Sequence, residues 1–391
     1  MNKPFVRNEH NLPDTTEIVT TSERLDEVIE EFAKADRIAL DIESDGFYRY
    51  RDSVCIVTLS TPAINIVLDS LALAESTFKL QKLVERPDIP CLMHSGSNDV
   101  VALKRDFGLT FGLMEDTSIA AIMLGLTHTG LATLVEDYLG TKLSKELQRH
   151  NWSSRPVERE HVKYLINDTK HLFQLHDLMI EEVRAKGLEH EYLIECRVTT
   201  ELEARPRVFD PERFRRIKGH GDLSAEHRGS LKAVFAWRDK VAERRDRAAF
   251  RVISDYVLLA LAKKQPSKAS DLNGFRGISD SLLDQESEGI IEALKIGFTQ
   301  PAPVKIPRDK VERQPKRLSP RQRDQLGKLK RWREAETNAR EIGLQAVLPT
   351  PALQDLVTDP PRDLEDLASR DRIGRARAEK YGEQILKILN S

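Results

Sequence analysis

Apolar residues follow two different periods in the first half of the chain. Runs rich in β-branched residues predict strands, and apolar positions three or four apart predict helices with one buried face. Strands are predicted over residues 38–42, 54–60, 64–68 and 89–94. Helices are predicted over residues 21–34, 71–84, 97–107, 117–124, 131–139 and 158–186. Because the connection around Pro62 is short, we expect the first three strands to form an antiparallel meander within an α/β domain.

The second half of the chain, after about residue 197, lacks strand patterns and contains an internal repeat. Trp237-Arg238 recurs as Trp332-Arg333, and Asp271-Leu272 recurs at the same offset as Asp366-Leu367. Such a repeat indicates two copies of one helical module. The predicted domains are residues 1–200, 221–300 and 321–391, and the predicted basic, proline-rich linker is residues 301–320.

The composition is that of a globular protein. The 391 residues are 40% hydrophobic and 32% charged, with a formal net charge of −2. Three cysteines without metal-ligand spacing argue against a zinc site and a disulfide framework, and they fit a reducing compartment. The first residues are polar, unlike a signal peptide, and no apolar run reaches the roughly 18 residues of a membrane span. We therefore expect a cytoplasmic protein without membrane contact, and we expect a monomer.

Two carboxylates interrupt the end of the first predicted strand. Asp41 and Glu43 follow an apolar run, and side chains two apart on a strand point to the same face. Two like charges held together there are costly, and a divalent metal with oxygen ligands would relieve the cost. The alternative is a strand end that emerges into water. The same Asp-x-Glu spacing begins at Asp210, Asp284 and Asp363, where surface charge is the favoured interpretation.

Two further segments carry acids that such a metal site would need. Asp99 follows the fourth predicted strand in the first turn of a helix, where either helix capping or metal ligation suits a carboxylate. Tyr164 and Asp168 lie four residues apart on the last predicted helix of the α/β domain, so they share a face. Tyr48 and Asp52 have the same spacing in a predicted loop, which shows that spacing alone is not specific.

For other residues that could take part in chemistry, we favour a structural role or leave two interpretations open. His94 ends the fourth predicted strand without a second histidine at matching spacing, so we expect a structural role. The aromatic residues Phe47, Tyr48 and Tyr50 follow the acid pair, and they could stack on bases or pack at the sheet edge. For three more acids we favour capping or surface positions: Asp116, Asp137 and Asp177.

The order of these acids resembles that of the DEDD exonuclease superfamily in its tyrosine subtype. The segments that are similar to the ribonuclease D family are Asp41-Ile42-Glu43-Ser44, His94-Ser95-Gly96-Ser97-Asn98-Asp99, Glu115-Asp116-Thr117 and Trp152-Ser153-Ser154-Arg155-Pro156. The histidine subtype would need a histidine where Lys163 stands. The two helical modules resemble HRDC domains. The resemblance implies an α/β ribonuclease H-like 3′–5′ exonuclease domain followed by two all-α HRDC-like domains, whereas the element pattern alone leaves several α/β folds open.

The resemblance also implies an activity. The protein would be a 3′–5′ exoribonuclease that releases nucleoside 5′-monophosphates from tRNA precursors and other structured RNAs. Its cofactors would be two divalent ions, Mg²⁺ or Mn²⁺, which suit oxygen ligands. Asp41 would bridge both ions, and Asp99 would hold one of them. Glu43 and Asp168 would complete the site of the ion that activates water, which Tyr164 would orient.

Two alternatives stay open at this point. The same carboxylate set serves nucleases that prefer DNA, and no residue that reads the 2′-hydroxyl is recognisable. The other alternative is a non-catalytic nucleic-acid-binding scaffold, although a decayed site should have lost at least one of the five residues. A helicase is disfavoured, because the chain has no Gly-x-x-x-x-Gly-Lys-Ser/Thr phosphate loop.

Positive charge is concentrated in and after the first helical module. Residues 301–333 contain twelve Lys or Arg and three Asp or Glu, a net charge of +9. A second basic cluster comprises Arg244, Arg245, Arg247 and Arg251. Such segments bind phosphates through counterion release, with a merely soluble linker as the alternative. We expect the helical modules to hold structured RNA while the α/β domain trims its single-stranded end.

Overall fold

The computed structural model of the protein describes residues 16–204, 208–305 and 318–391. Most of the predicted linker, and with it much of the basic segment 301–333, lies outside the described residues. The described chain forms two compact units. The first unit contains residues 16–44, 54–204 and 318–391, and the second contains residues 45–53 and 208–305.

A mixed sheet is the centre of the first unit. Its strands, in the described part of the chain, are β1 (Thr16–Val19), β2 (Ile38–Ser44), β3 (Val54–Ser60), β4 (Asn65–Asp69), β5 (Cys91–Met93) and β6 (Met114–Asp116). Their order across the sheet is β1-β4-β3-β2-β5-β6. Strands β2, β3 and β4 are antiparallel neighbours, as predicted, and β1, β5 and β6 each lie parallel to a neighbour. β1 and β6 were not predicted, because they contain only two and one apolar residues, whereas all three residues of β5 are apolar.

Helices flank the sheet. In the α/β domain (residues 16–204 of the first unit) they are α1 (Ser22–Phe32), α2 (Gln81–Val84), α3 (Ser97–Phe107), α4 (Thr117–Met123), α5 (Leu131–Leu139), α6 (Arg159–Lys170), α7 (Leu172–Ala185) and α8 (Glu189–Thr200), with a 3₁₀ turn at Thr77–Leu80. The predicted helix over 158–186 is thus interrupted at His171. No helix in the described ranges is long and apolar enough to cross a membrane.

The burial of the central strands decides where the acid pair points. All seven residues of β3 are buried, so both faces of the sheet are covered. In β2, Ile38, Ala39 and Leu40 are fully buried, and exposure begins at Asp41. Helix α6 packs against β2, β3 and β4. The predicted acid pair therefore lies where the buried part of β2 ends, beside a helix that carries further predicted site residues.

The second helical module (residues 318–391) packs on the α/β domain and shares its apolar core. Its helices are α13 (Pro320–Arg340), α14 (Leu344–Val347), α15 (Thr350–Thr358), α16 (Leu364–Ala368) and α17 (Gly374–Leu389). The Gly343 N–H donates to the Met123 carbonyl at 2.8 Å, and a Cβ at Gly343 would collide with the carbonyl of Ile122. Residues 318–391 and the α/β domain therefore form one compact unit, although they are predicted as separate domains.

Charged residues are buried where this module meets α8. Arg377 is fully buried, and it forms an ion pair of 3.2 Å with Glu195. Its guanidinium also donates to the carbonyls of Arg372 and Gln345, at 2.6 and 2.8 Å. Lys380 pairs with the buried Glu191 at 3.2 Å. Buried charges of this kind are tolerated only when they are paired and hydrogen-bonded, so the packing here is specific.

The second unit combines the first helical module (residues 208–305) with a loop from the α/β sequence. Its helices are α9 (Ala225–Arg244), α10 (Ala249–Val252), α11 (Asp255–Lys264) and α12 (Asp280–Phe298), with 3₁₀ turns at Pro211–Arg216, His220–Asp222 and Ala269–Gly274. The β2–β3 loop (residues 45–53) packs on this module. The Tyr50 hydroxyl donates to Asp239 at 2.9 Å, and the Ala248 N–H donates to the Tyr48 carbonyl at 2.9 Å. The loop aromatics therefore contact a helical module.

Candidate active site

Three of the predicted site carboxylates converge. Asp41 and Glu43 from β2 and Asp168 from α6 each offer an oxygen atom, and these atoms lie within 4.8 Å of one another. The two-residue spacing on the strand places the first two on one face, and α6 brings the third to the same place. Within the described ranges, none of the three pairs with a basic side chain. The convergence is that of a cation site.

Asp99 contributes a fourth negative charge to this cluster. Burial, followed by repulsion from Asp99, Asp168 and Glu43, raises the pKa of Asp41 well above its ordinary value. Burial and the repulsion of Asp168 and Asp99 raise the pKa of Glu43 to about 8. Burial also raises the pKa values of Asp99 and Asp168 to about 7. Without a cation, the cluster therefore holds protons near neutral pH.

The turn before α3 is fixed by Asp116, which explains the position of Asp99. The Asp116 carboxylate accepts from the N–H groups of Ser95, Gly96 and Ser118 at 3.0, 2.8 and 2.7 Å. Asp116 also caps α4 and is buried, so of the two predicted roles, capping or a surface position, it has the first. Gly96, and not Asp99, occupies the N-cap of α3. The carboxylate of Asp99 is thus not used as the N-cap of its helix.

Tyr164 lies one turn before Asp168 on α6 and is buried. Its ring stacks on Trp152, with centroids 5.9 Å apart and an interplanar angle of 27°. Burial and the charges of Asp168, Glu43 and Asp41 raise the pKa of the phenol. Tyr164 is therefore a neutral hydroxyl beside the acid cluster, able to donate one hydrogen bond and to accept another.

A clamp built on Arg155 holds the segment before α6. Its guanidinium donates to both carboxylate oxygens of the buried Asp69, at 2.5 and 2.6 Å. It also donates to the carbonyls of Trp152 and Cys55, at 2.7 and 3.1 Å. These contacts fix Trp152 against Tyr164. The indole N–H of Trp152 interacts with the Glu43 carboxylate and opposes the rise of its pKa.

Sequence reasoning missed the contacts of Asp116 with the turn before α3 and the contacts of Arg155 with Asp69. Both lie in segments whose similarity to a known family was recognised, but the pattern gave neither a partner. Only the fold brings Asp69 to Arg155 and the turn at Ser95 to Asp116. His94 lies as expected in a structural position, with its Nδ1 2.8 Å from the Thr117 hydroxyl.

The donor set fits divalent metal ions. Four carboxylates share a partly buried site, and three of them present oxygens close enough for one ion. Hard cations such as Mg²⁺ and Mn²⁺ prefer oxygen ligands. Bound cations would also remove the repulsion that raises the pKa values of these acids. The site therefore suits chemistry at a phosphate group, which divalent ions bind in hydrolytic enzymes.

Comparisons with known proteins agree with the fold. A family model described as 3′–5′ exonuclease matches residues 16–184, and the HRDC domain model matches residues 227–294 and 322–389. The chain is 31% identical over 267 residues to ribonuclease D of Zymomonas mobilis, and the alignment covers 68% of each protein. The chain therefore belongs to the ribonuclease D family of 3′–5′ exoribonucleases.

Longer relatives and solved structures extend the comparison. Exosome complex component 10 of Rattus norvegicus is 26% identical over 260 residues, which cover 64% of this chain but only 29% of that protein. The crystal structure of Escherichia coli RNase D, an exoribonuclease involved in structured RNA processing, has a TM-score of 0.63. It is 22% identical, and the match covers 96% of this chain and 99% of that one. This last likeness concerns the fold alone.

Proposed function

We propose that Asp41, Glu43, Asp99, Tyr164 and Asp168 form the catalytic centre of this exoribonuclease. The observation that carries the proposal is the convergence of three carboxylate oxygens within 4.8 Å, with no basic partner among the described residues. Two bound Mg²⁺ or Mn²⁺ ions would stabilise the charge that develops on the attacking and leaving oxygens during phosphodiester hydrolysis.

The side chains divide the work between holding cations and orienting water. Asp41, whose charge is affected by all three other acids, would bridge the two ions. Glu43 and Asp168 would complete one ion site, and Asp99 the other. The Tyr164 phenol stays protonated, so it would orient the attacking water by hydrogen bonding without removing its proton. The product would be a nucleoside 5′-monophosphate.

The proposed substrates are the 3′ ends of tRNA precursors and other structured RNAs. Family membership supports RNA, and the two HRDC modules support binding of a structured nucleic acid. The test is to incubate the protein with matched RNA and DNA strands, labelled at either end, with Mg²⁺, Mn²⁺ or EDTA. Stepwise shortening of 5′-labelled RNA that stops in EDTA is expected. Faster loss of DNA would replace the RNA assignment, and no cleavage of either would support a binding scaffold.

We further propose that the protein is a cytoplasmic monomer. The three cysteines are unpaired and buried, which supports a reducing compartment. Light scattering coupled to size exclusion should give the mass of one chain, 44.5 kDa. A mass twice as large would overturn the monomer proposal.

A further inference from the structure

A group of exposed aromatic rings lies in the second unit, on the β2–β3 loop and α10. Phe47 is 38% exposed and Phe250 is 48% exposed. Their ring centroids are 5.0 Å apart in an edge-to-face arrangement, and the Tyr48 ring lies 5.8 Å from that of Phe47. Single exposed rings are common on soluble proteins, whereas grouped ones indicate an interaction site.

A positive charge lies over these rings. The guanidinium carbon of Arg251 is 3.9 Å from the centroid of Tyr48 and 5.0 Å from that of Phe47. In the part of the chain that the structure describes, no carboxylate pairs with Arg251. Its neighbours in the predicted basic cluster differ, because Arg244 and Arg245 both contact Glu286. The structure therefore keeps the charge of Arg251 available.

The combination of rings and an available cation indicates the chemistry of the partner. An apolar protein segment would cover the rings but would leave the guanidinium desolvated and unpaired, which is costly. Single-stranded nucleic acid satisfies both features, because its bases stack on aromatic rings and its phosphates pair with arginine. Unpaired bases of RNA are therefore the favoured occupants.

Chain length limits the distance between Phe47 and the acid pair on β2. Phe47 follows Glu43 by four residues. Since consecutive Cα atoms are 3.8 Å apart, the two Cα atoms can be separated by at most about 15 Å in any arrangement. Nucleotides next to a 3′ end held at the acid cluster are therefore within reach of Phe47.

Contacts with the first helical module order the loop. Arg49 pairs with Asp246 at 2.9 Å, and Arg51 pairs with Glu243 at 3.2 Å. The Tyr50 N–H also donates to Asp246, at 3.3 Å. Because these contacts already order the loop, stacking a base on it costs little additional conformational entropy.

We propose that Phe47, Phe250 and Arg251 form a stacking platform for the unpaired bases that precede the 3′-terminal nucleotide of the substrate RNA. The inference rests on the proposed exonuclease function, which it deepens. It requires an RNA with a single-stranded 3′ extension whose bases are present, since the platform contacts bases as well as phosphates. A duplex end without an extension would not engage it.

The test compares a platform variant with a matched control on two RNAs. The variant is Phe47→Ala/Phe250→Ala, and the control is Phe298→Ala, which removes a ring that is 43% exposed in the same unit. Binding of a fluorescent unstructured RNA is measured by anisotropy in EDTA, so that no hydrolysis occurs. The second RNA has abasic nucleotides at the positions preceding the 3′-terminal one.

The platform predicts a loss that depends on the bases. On intact RNA the platform variant should bind at least about fivefold more weakly than wild type, and the control should bind normally. On abasic RNA the variant and wild type should bind equally. An equal loss on both RNAs, or unchanged affinity on intact RNA, would overturn the proposal, and the latter would favour a protein partner. If the double variant does not fold, Phe250→Leu is measured in the same way with the same criterion.

A small substrate separates this proposal from the proposed function. The nitrophenyl ester of a nucleoside 5′-monophosphate has no preceding bases, so the platform variant should hydrolyse it with Mn²⁺ at the wild-type rate. If wild type hydrolyses neither the ester nor RNA, the proposed catalytic function fails. If wild type hydrolyses both and the platform variant degrades RNA normally, the platform alone is wrong.

Discussion

At the scale of single residues, the acid cluster is destabilised by repulsion between its carboxylates, and the same carboxylates suit it to bind cations. Four carboxylates share one partly buried place, and the pKa of each is raised. A group of like charges persists in a fold when something outside the chain neutralises it. Divalent ions would neutralise these charges, and they would also supply the charge stabilisation that phosphodiester hydrolysis needs.

Replacing Asp41 should separate catalysis from folding. We expect Asp41→Asn to lower RNA hydrolysis by about a hundredfold or more, because it removes the carboxylate proposed to bridge two ions. The metal-free variant should be at least as stable as wild type, since the neutral amide relieves repulsion. Asp137→Asn, at an exposed helical position, is the control. Exonuclease rates and thermal unfolding measure both effects, and a near-normal rate in Asp41→Asn would refute the assignment.

Stability without metal should fall as the pH rises. The folded protein keeps protons on Glu43, Asp99 and Asp168 up to about pH 7–8, whereas the unfolded chain releases them near pH 4. Between these values the folded state binds more protons, so the free energy of unfolding decreases with increasing pH. Mg²⁺ should reduce this decrease by replacing the protons.

The measurement is thermal unfolding from pH 5 to pH 8, with EDTA or with Mg²⁺, at constant ionic strength. Histidines titrate in the same range, so the informative quantity is the difference between wild type and Asp41→Asn. This difference should grow with pH in EDTA and shrink in Mg²⁺. A difference that is independent of both pH and metal would contradict the prediction.

At the scale of elements, short contacts in loops position the long elements. Asp116 fixes the turn that leads to Asp99, and Arg155 fixes the segment that leads to Tyr164. In both cases a side chain satisfies backbone groups that a regular element cannot satisfy. The geometry of the site thus depends on residues that touch no substrate in the proposed mechanism.

Arg155→Ala tests this dependence. It leaves the buried Asp69 carboxylate without its bidentate partner, so we expect a loss of about 1–2 kcal/mol in the free energy of unfolding, because the guanidinium is itself partly exposed. Turnover should fall as Trp152 and Tyr164 lose their fixed arrangement. Arg159→Ala, an exposed arginine at the start of α6, should change neither quantity. Urea unfolding gives the free energy of unfolding, and single-turnover kinetics give the rate. Wild-type values of both for Arg155→Ala would show that Arg155 does not hold this segment in place.

The sequence is informative where one element is long and periodic. The strand that carries Asp41 and Glu43 and the helix Ser97–Phe107 follow from apolar patterns alone. The strands Thr16–Val19 and Met114–Asp116 do not, because they contain only two and one apolar residues. The apolar pattern also gives no sign of the break at His171, because α6 and α7 on either side of it both have helical periods.

A sequence pattern predicts the helices and strands better than it predicts which site residues come together. The resemblance to a family suggested that Asp41, Glu43 and Asp168 belong together, and the fold places their oxygens side by side. Periodicity could not have done this, because it describes neighbours along one element and not the packing of α6 on β2. The partners of Arg155 and Arg377 are hidden for the same reason.

At the scale of the whole molecule, the two helical modules differ although their sequences repeat. The second module packs on the α/β domain through the buried Arg377, whereas the first packs with the β2–β3 loop. Similar modules thus acquire different neighbours through a few side chains. The predicted RNA-binding role of these modules stays a prediction, and surface variants test it better than deletions that would expose an apolar core.

Arg377→Ala should show how strongly the second module is attached. Removing the fully buried guanidinium breaks the 3.2 Å ion pair with Glu195, which keeps only a longer pair of 3.6 Å with the partly exposed Arg372. We therefore expect a loss of about 3 kcal/mol in the free energy of unfolding. Arg375→Ala, at an exposed position two residues earlier on α17, is the control and should be neutral within about 0.5 kcal/mol. Urea unfolding followed by circular dichroism and by nuclease activity should give coincident transitions. If activity survived an early unfolding of the module, the shared core would be refuted.

The packing of residues 318–391 on the α/β domain has a consequence for the order of events during synthesis. The α/β elements leave the ribosome first, while α17 and its Arg377 have not yet been made. During that interval Glu195 lacks its ion pair with Arg377. The nuclease core is therefore completed late, by contacts between residues far apart in the chain, which close slowly. A chain interrupted before α17 would lack these contacts and would be degraded by proteases. An active nuclease fragment would therefore not accumulate in the cell.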